Sequence, residues 1–381
     1  MIHTEQRLWT EAKGWETITH VPLHGAPQLV FAFGARKLVG KAEVYQQIRN
    51  FYPGAYIVLC STAGEILGTE VHDGSIALTA VHFEKSVVRF AETTIANVDD
   101  SLGVGKRLAE FLPVEGLVHA MVFSDGLGVN GTLLVKGIND NLPVSVTVTG
   151  GLVGDGADFK ETLVGRDGPG EPRKVVLLGF YGDALKVGFG SYGGWEGSGA
   201  KHTITRSLGN ILFEIDDKPA LAVYKQYLGD KVSGLPSSAL LFPLKLHVDG
   251  GTTDVVRTIL GVNEVDQSMT FAGDMPRGVT AEFMKATLEK LVEGAGAAAT
   301  MSFKGVGHVS PELAILISCV GRKLVLKKRV AEEVEAVRSV LGEGTAIGGF
   351  YSYGELCPGS YEEHQCLLHN QTMTITVFRE F

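Results

Sequence analysis

Apolar and polar positions follow a β-α-β order that recurs three times along the chain. Short apolar runs rich in Val, Ile and aromatic residues are typical of buried strands, and they begin at Leu29, Leu117 and Leu313. Each is followed by a segment with apolar residues at helical spacing, over residues 41–51, 130–139 and 329–341. A second strand is predicted next, over residues 55–60, 144–149 and 345–349. The pattern therefore predicts an internal repeat of three units.

A glycine followed by an acidic residue comes after the second strand of each unit, at Gly64-Glu65, Gly154-Asp155 and Gly354-Glu355. Return strands are predicted after these turns, over residues 75–83, 175–182 and 369–378. Glycine permits a positive φ and a close approach of main chain. We expect the three glycines to have positive φ or to lie against neighbouring main chain. We also expect each return strand to form a hairpin.

The predicted fold class is α/β, with repeated β-α-β-β units that form mixed sheets and helices packed on them, in two similar domains. A helix between two strands makes that strand pair parallel and right-handed. We divide the chain into a lead-in over residues 1–26, an N-terminal domain over 27–236 and a C-terminal domain over 237–381. The boundary lies in a polar, turn-rich segment. The glycine-acid turns are expected to gather at one edge, where the two domains enclose a cleft.

Composition narrows the classes of function. The 381 residues are 45% hydrophobic and carry a formal net charge of −9, which leaves no basic face for nucleic acid or an anionic membrane surface. The longest apolar run, residues 313–320, is far shorter than the ~20 residues of a membrane span. The N-terminus has no apolar core of a secretory signal, and the four cysteines show no C-x-x-C. These features indicate a cytoplasmic protein with reduced thiols.

Candidate ligand-binding residues lie at the predicted strand ends and turns. Arg322 follows a strand and could clamp a carboxylate or phosphate, or form a structural salt bridge instead. Asp155, Tyr353 and Glu355, with Gly154 and Gly354, could orient a ligand at the cleft. The alternative for the acidic residues is that they cap their own turns through backbone N–H groups.

The histidines and cysteines are the candidates for metal and catalytic chemistry. No pair of the 11 histidines has zinc-site spacing, and C-x-x-C-H is absent. His247, at the end of an apolar strand, is the first candidate for an axial ligand of haem, and His202 is the second. Cys319 or Cys60 could serve as a nucleophile only with a partnered base and a lowered thiol pKa, which the sequence does not indicate.

Longer segments around these turns resemble a known family. Residues 60–66 (CSTAGEI), 150–156 (GGLVGDG) and 194–229 resemble the N-terminal FIST domain. Residues 317–322 (ISCVGR), 348–358 (GGFYSYGELCP) and 368–375 (LHNQTMTI) resemble the C-terminal FIST domain. The resemblance runs from about residue 27 to the end of the chain, and its most specific part is the 194–229 stretch.

This resemblance implies a small-ligand sensor of bacterial signal transduction rather than an enzyme. The NosP-type subgroup implies a haem cofactor, nitric oxide as the gas ligand, and a histidine kinase or cyclic-di-GMP enzyme as the protein partner. A sensor of a small amino acid or carboxylate metabolite is the first alternative, and a cysteine-dependent enzyme is the second.

Overall fold

The computed structural model describes residues 1–19, 23–235, 237–247, 254–362 and 364–381. The strands of the first half are β1 (Ile2–Thr10), β2 (Gly14–Thr17), β3 (Leu29–Gly34), β4 (Tyr56–Ser61), β5 (Glu65–Leu67), β6 (Glu70–His72), β7 (Ile76–Phe83), β8 (Val87–Thr94), β9 (Leu117–Ser124), β10 (Thr147–Leu152), β11 (Val164–Arg166), β12 (Lys174–Tyr181) and β13 (Leu185–Tyr192). Those of the second half are β14 (Glu196–Leu208), β15 (Ile211–Ile215), β16 (Lys218–Pro219), β17 (Leu244–His247), β18 (Val255–Arg257), β19 (Ile259–Asn263), β20 (Ser268–Phe271), β21 (Thr280–Lys285), β22 (Leu313–Cys319), β23 (Ala346–Ser352), β24 (Gly354–Pro358), β25 (Cys366–His369) and β26 (Met373–Glu380). The α-helices are α1 (Arg36–Val39), α2 (Ala42–Phe51), α3 (Ser101–Phe111), α4 (Gly131–Asn139), α5 (Ala220–Leu228), α6 (Leu288–Ser302), α7 (Val320–Leu326) and α8 (Val330–Leu341).

Three six-stranded sheets share one plan. Their strand orders are β11-β4-β3-β7-β1-β2 (sheet 1), β25-β24-β10-β9-β12-β8 (sheet 2) and β13-β26-β22-β23-β5-β6 (sheet 3). The central parallel pair of each sheet is the predicted β-α-β unit, namely β3/β4, β9/β10 and β22/β23. The α/β class, with mixed sheets and packed helices, is confirmed.

The units exchange strands in a cycle. After its glycine-acid turn, unit 1 places β5 beside β23 of sheet 3, and unit 3 places β24 beside β10 of sheet 2. Unit 2 closes the cycle, because β11 pairs with β4 of sheet 1. The predicted hairpins are therefore wrong: the return strands β7, β12 and β26 pair with the first strand of their own unit, and not with the second. The edge of the second strand is occupied by the exchanged strand.

The N-terminal segment, predicted to be a lead-in, contributes β1 and β2 to sheet 1. Every second side chain of β1 can face inward, and Gln6 is one of those that are buried. Its amide donates to the Ile347 carbonyl at 2.8 Å and to Thr79 Oγ1 at 3.1 Å. A polar residue at an inward position hides the strand alternation in the sequence.

The inner faces of the three sheets enclose a common aromatic core. Phe33, Phe123 and Phe350 come from the three sheets, and their ring centroids lie 4.8–6.2 Å apart. The outer faces are covered by helices, with α2 on sheet 1 and α4 and α8 over sheets 2 and 3. Burial of this core on both faces of each sheet accounts for the continuous apolar runs in the sequence.

A smaller unit over residues 196–285 lies between β13 and α6. Its sheet has the order β18-β17-β21-β14-β15-β20-β19, with β16 paired to β15, and α5 contributes to its separate hydrophobic core. The predicted boundary between residues 236 and 237 lies within this unit. The rest of the chain, here called the three-sheet body, takes strands from both sides of that boundary. Among the described residues, no helix is long and apolar enough to cross a membrane.

The glycines of the three glycine-acid turns differ in their backbone conformation and in the atoms packed against them. Gly64 has φ +143°, a conformation that L side chains rarely adopt, and a Cβ there would also collide with the Lys323 side chain. Gly154 lacks a positive φ, but a Cβ would lie 3.0 Å from the Ala63 nitrogen. Gly354 packs against side chains of Leu368 and Leu152, and not against main chain. The expectation holds for Gly64 and Gly154 and fails for Gly354.

Gly64→Ala should lower the free energy of unfolding by about 1–3 kcal/mol, because the new Cβ is strained at this φ and displaces Lys323. Gly54→Ala is the matched control, since a Cβ at Gly54 meets open space and φ is not positive. Urea denaturation followed by circular dichroism measures both. Equal stability of the two variants would contradict the role given to the turn.

Candidate functional site

A cavity of about 450 Å³ lies between the three-sheet body and the smaller unit. The body contributes residues after β9 and at the start of α7, and the smaller unit contributes the paired segments around β19 and β20. The lining residues are Val98, Gly126, Leu127, Val129, Asn130, Gly131, Leu152, Phe159, Asn210, Leu240, Thr258, Ile259, Leu260, Phe271, Ala272, Gly273, Asp274, Cys319, Val320, Gly321, Leu324, Tyr353, Leu368 and Asn370. Both β9 and β22 end at this cavity, which is where ligands bind in open sheets with parallel strands.

Asn130 connects the two sides of the cavity. It is the N-cap of α4, and its side-chain oxygen accepts from the Leu133 N–H at 3.0 Å. Its side-chain nitrogen donates to Asp274 Oδ1 of the smaller unit at 2.9 Å. This single side chain therefore caps the start of a helix of the body and also holds the half-buried carboxylate of Asp274 at the wall.

The smaller unit and the body both supply polar groups to the wall. Thr258 precedes β19 and Ala272 follows β20 at the open end of this strand pair, where the Ala272 N–H donates to the Thr258 carbonyl at 2.9 Å. The Thr258 side chain is 3% exposed, and its Oγ1 has no hydrogen-bond partner among the described residues. Asn210 donates to the Phe271 carbonyl, and Asn370 donates to the His369 carbonyl, each through a side-chain nitrogen at 2.8–2.9 Å.

Two of the predicted site residues meet beside the cavity. The Tyr353 hydroxyl donates to Asp155 Oδ1, and the Tyr353 ring stacks on Phe159 with centroids 4.4 Å apart. Backbone N–H groups of residues 159–161 also donate to the Asp155 carboxylate. Burial opposes ionisation, but these hydrogen bonds lower the pKa of Asp155 below its usual value. Tyr353 lines the wall, whereas Asp155 holds it from behind.

Arg322 lies in the interior rather than on the cavity wall. The strand β22 ends at Cys319, and Arg322 belongs to the first turn of α7. The guanidinium is fully buried and forms an ion pair with Glu333 of α8 at 2.8 Å. It also donates to the carbonyls of Gly193 and Leu291, both at 2.7 Å. Its donors are occupied by the protein itself, so the structural salt bridge weighed above is the arrangement observed.

Glu355 also lies in the interior. It accepts from Ser352 Oγ at 2.6 Å and from the N–H and hydroxyl of Thr372 at 3.0–3.2 Å. Glu65, its counterpart in unit 1, accepts in the same way from hydroxyl groups. Burial is the main cause that raises the pKa of Glu355 to about 8 and that of Glu65 to about 7. Gly354 packs on Leu152 and Leu368, which line the cavity, and Gly154 lies beside Asp155.

The two candidate haem ligands lie on the sheet of the smaller unit, away from the cavity wall. His202 Nδ1 is 2.7 Å from Asp216 Oδ2, and His247 Nδ1 is 2.7 Å from Asp254 Oδ1. Neither histidine is among the lining residues. In the part of the chain that the structure describes, no three His, Cys, Asp or Glu side chains are grouped to hold a metal ion.

Cys319 does line the cavity, but its environment is unsuited to nucleophilic chemistry. Burial raises the pKa of the Cys319 thiol, with Glu355 adding to this effect, and burial raises that of Cys60 as well. Nucleophilic attack requires the thiolate. The arrangement therefore gives no support to either cysteine as a catalytic residue.

The polar residues that the smaller unit and α4 bring to the cavity were not among the predicted site residues. Asn130 precedes an apolar helical pattern, which is the sequence signal of an N-cap. Asp274 follows the strand-like run SMTFAG, and a polar residue after a strand and a glycine is a weaker signal of the same kind. Nothing in the sequence predicts that Thr258 lacks a partner.

The geometry defines an α/β protein with a ligand-sized cavity between a three-sheet body and a smaller unit. The FIST N domain model matches residues 28–218 and the FIST C domain model matches residues 220–358, so the chain belongs to the FIST family. FIST domains are small-ligand-sensing domains of signal transduction. Comparison with curated proteins found no match. A crystal structure of cyanuric acid hydrolase from A. caulinodans is similar with 8% identity and a TM-score of 0.37, over 100% of this chain and 99% of that one.

Arg322→Met should lower the free energy of unfolding by about 3–5 kcal/mol, because it leaves Glu333 charged and buried without its partner. The double variant Arg322→Met with Glu333→Gln should recover part of that loss. Arg329→Met removes an exposed ion pair and should change stability little. Urea denaturation measures all three, and equal effects at Arg322 and Arg329 would contradict the structural role of Arg322.

The stability of the folded protein should fall as the pH rises, because of Glu355. Its pKa in the folded protein is raised from 4.5 to about 8, so its protonated form is favoured by folding. The stabilisation is complete below pH 4.5 and is lost as pH rises towards 8, by up to ~1.4 kcal/mol per pH unit. Glu355→Gln should flatten this decline in urea denaturation between pH 5 and 8. The exposed Glu343→Gln is the control and should follow the wild-type curve; a Glu355→Gln curve parallel to wild type would overturn the assignment.

Proposed function

We propose that the protein is a sensor whose small organic ligand occupies the cavity between the three-sheet body and the smaller unit. The observation that carries this proposal is that both units contribute walls to one cavity of about 450 Å³. Clefts of this size between units are the usual location of small-ligand sites. A ligand there contacts both units at once, and so it favours one relative arrangement over others.

Arg322 offers a physical route from the cavity to the smaller unit. The first turn of α7 lines the cavity, and Arg322 belongs to the same turn. Its guanidinium holds the Gly193 carbonyl, where the chain leaves the body, and the Leu291 carbonyl, where the chain has returned. A ligand that shifts α7 therefore changes both connections to the smaller unit, and this is a contiguous path of coupling.

A haem-bound nitric oxide sensor is the more specific form of this function, but neither of its two candidate axial histidines reaches the cavity. Haem iron requires an axial side chain that reaches the metal. His247 and His202 hydrogen-bond to carboxylates on the sheet of the smaller unit and do not line the cavity. The ligand that we propose is a small organic molecule, bound without haem.

The output of the sensor passes to a separate protein in this proposal. A histidine kinase or a cyclic-di-GMP enzyme in the cytoplasm is the partner that the FIST resemblance implies. The raised thiol pKa of Cys319 supports a binding role rather than a catalytic one for the cavity.

Ala272→Trp should block the cavity, because the Ala272 side chain is part of its wall. The neutral dye N-phenyl-1-naphthylamine, whose fluorescence rises in apolar surroundings, serves as the probe. Wild type should bind it saturably, and Ala272→Trp should weaken binding at least roughly tenfold, since an indole fills much of a cavity of this class. Ala222→Trp, on the exposed side of α5, is the control. Equal binding by Ala272→Trp and the control would overturn the site.

The sensing step has its own readout in the same experiment. Hydrogen exchange should slow on dye binding at the two connections near Gly193 and Leu291, as well as at the cavity wall. Protection confined to the wall would show a binding site that is not coupled to the smaller unit.

A further inference from the structure

The chemistry of the cavity wall points to the charge of its ligand. Among the described residues that line it, Asp274 is the one charged side chain, and no lysine, arginine or histidine is part of the wall. Asp274 Oδ1 accepts from Asn130, while Oδ2 has no hydrogen bond in the described ranges. A free carboxylate oxygen at a half-buried wall attracts a cationic donor and repels an anion.

The other unpaired atoms nearby are also oxygens. Thr258 Oγ1 has no partner in the described part of the chain although its residue is 3% exposed, and a buried hydroxyl without a partner is costly. Asn210 Oδ1 likewise has no hydrogen bond within the described ranges, because only its side-chain nitrogen is used, towards the Phe271 carbonyl. Thr258 pairs through its main chain with Ala272, two residues from Asp274. These oxygens are therefore set on adjoining segments of one wall.

Arg257 lies behind this wall and does not line it. Its guanidinium donates to the main-chain carbonyl of Asp274 at 3.2 Å and to that of Leu368 at 2.9 Å, so it fixes the backbone rather than the carboxylate. A Cβ at Gly273 would lie 2.8 Å from Arg257 Nε, which shows how closely the arginine supports the segment.

The remainder of the wall is apolar. Leu127, Phe159, Leu260 and Leu324 are each about 38–50% exposed around the cavity, and Phe271 and Leu368 are buried within its lining. An apolar substituent placed against these side chains gains from the area that it removes from water.

We propose that the ligand is a cationic amine with an apolar body, whose ammonium group binds Asp274 Oδ2 and donates to Thr258 Oγ1. This inference rests on the proposed function, and it specifies the ligand class of the same cavity. It disfavours a carboxylate metabolite, which was part of the first alternative drawn from the sequence, because Arg322 is not available to hold an anion. In this proposal the two sides of the cavity have different roles. Asp274 of the smaller unit binds the ammonium group, and the body contributes mostly apolar contacts.

Three probes of similar shape and different charge test the proposal: 2-phenylethylamine, 2-phenylethanol and 3-phenylpropionate. Isothermal titration calorimetry on the full chain at pH 7 should give the tightest binding for the amine, roughly tenfold or more above the alcohol. The propionate should bind more weakly than the alcohol. Ala272→Trp should abolish binding of each probe that binds.

Substitution at the carboxylate separates charge recognition from packing. Asp274→Asn keeps the size of the side chain and should remove the preference for the amine while leaving the alcohol nearly unchanged. Thr258→Val should weaken the amine more than the alcohol. Asp230→Asn, at an exposed position of the smaller unit, is the control and should bind as wild type does. Thermal melting of each variant shows that it is folded.

The outcomes distinguish this inference from the proposed function. If the alcohol or the propionate binds as tightly as the amine, and Ala272→Trp abolishes that binding, the cavity is a ligand site and the amine assignment is wrong. An unchanged amine preference in a folded Asp274→Asn variant also overturns the assignment. If none of the probes binds to wild type, neither the amine assignment nor the site is supported, and both fail.

Discussion

The buried ion pair between Arg322 and Glu333 is the interaction on which the arrangement of the three-sheet body and the smaller unit depends. A fully buried pair is costly to desolvate, and it is retained only where hydrogen bonds satisfy the remaining donors. Here the remaining donors of Arg322 reach the carbonyls of Gly193 and Leu291 on either side of the inserted unit. Glu333 in turn accepts from Ser318 and Tyr351, so the pair also connects α7 and α8 to the two parallel strands of sheet 3. One charge pair thus fixes a repeat unit and both connections to the smaller unit.

Strand exchange imposes a second constraint, because no repeat unit completes its own sheet. The edge of β4 is covered by β11, that of β10 by β24 and that of β23 by β5. Uncovered edges would leave rows of unpaired backbone groups, which proteins avoid. The three repeat units are therefore expected to fold as one cooperative structure. The smaller unit has its own hydrophobic core. The cavity lies where these two cooperative parts meet.

Much of the body could be predicted from sequence, because its strands are buried on both faces and read as continuous apolar runs, as at Leu313–Cys319. The exchange of strands could not be predicted, since the backbone edge of β4 offers the same hydrogen bonds to any partner. Burial of Arg322 was also hidden: its partner Glu333 lies eleven residues later on a helix whose sequence has the charge pattern of a solvated face. The site residues Asp274 and Thr258 come from the smaller unit, where short strands and turns give weak patterns. Sequence predicted a cleft near Tyr353, but not the wall that faces it.

Divergence of the repeats explains why the cavity lies where the turns of units 2 and 3 meet. In units 1 and 3 the turn carries a glutamate that is buried and bound by hydroxyl groups, as Glu355 is by Ser352 and Thr372. Such a glutamate is held within its own turn and is not available to a ligand. In unit 2 the shorter Asp155 instead accepts from the following backbone and from Tyr353, which leaves the Tyr353 ring and Phe159 at the surface of the cavity. In our proposal the charged group that recognises the ligand therefore comes from the smaller unit, as Asp274. The repeated units build the three-sheet body, and the cavity lies beside the turn of unit 2, where the repeat pattern changes.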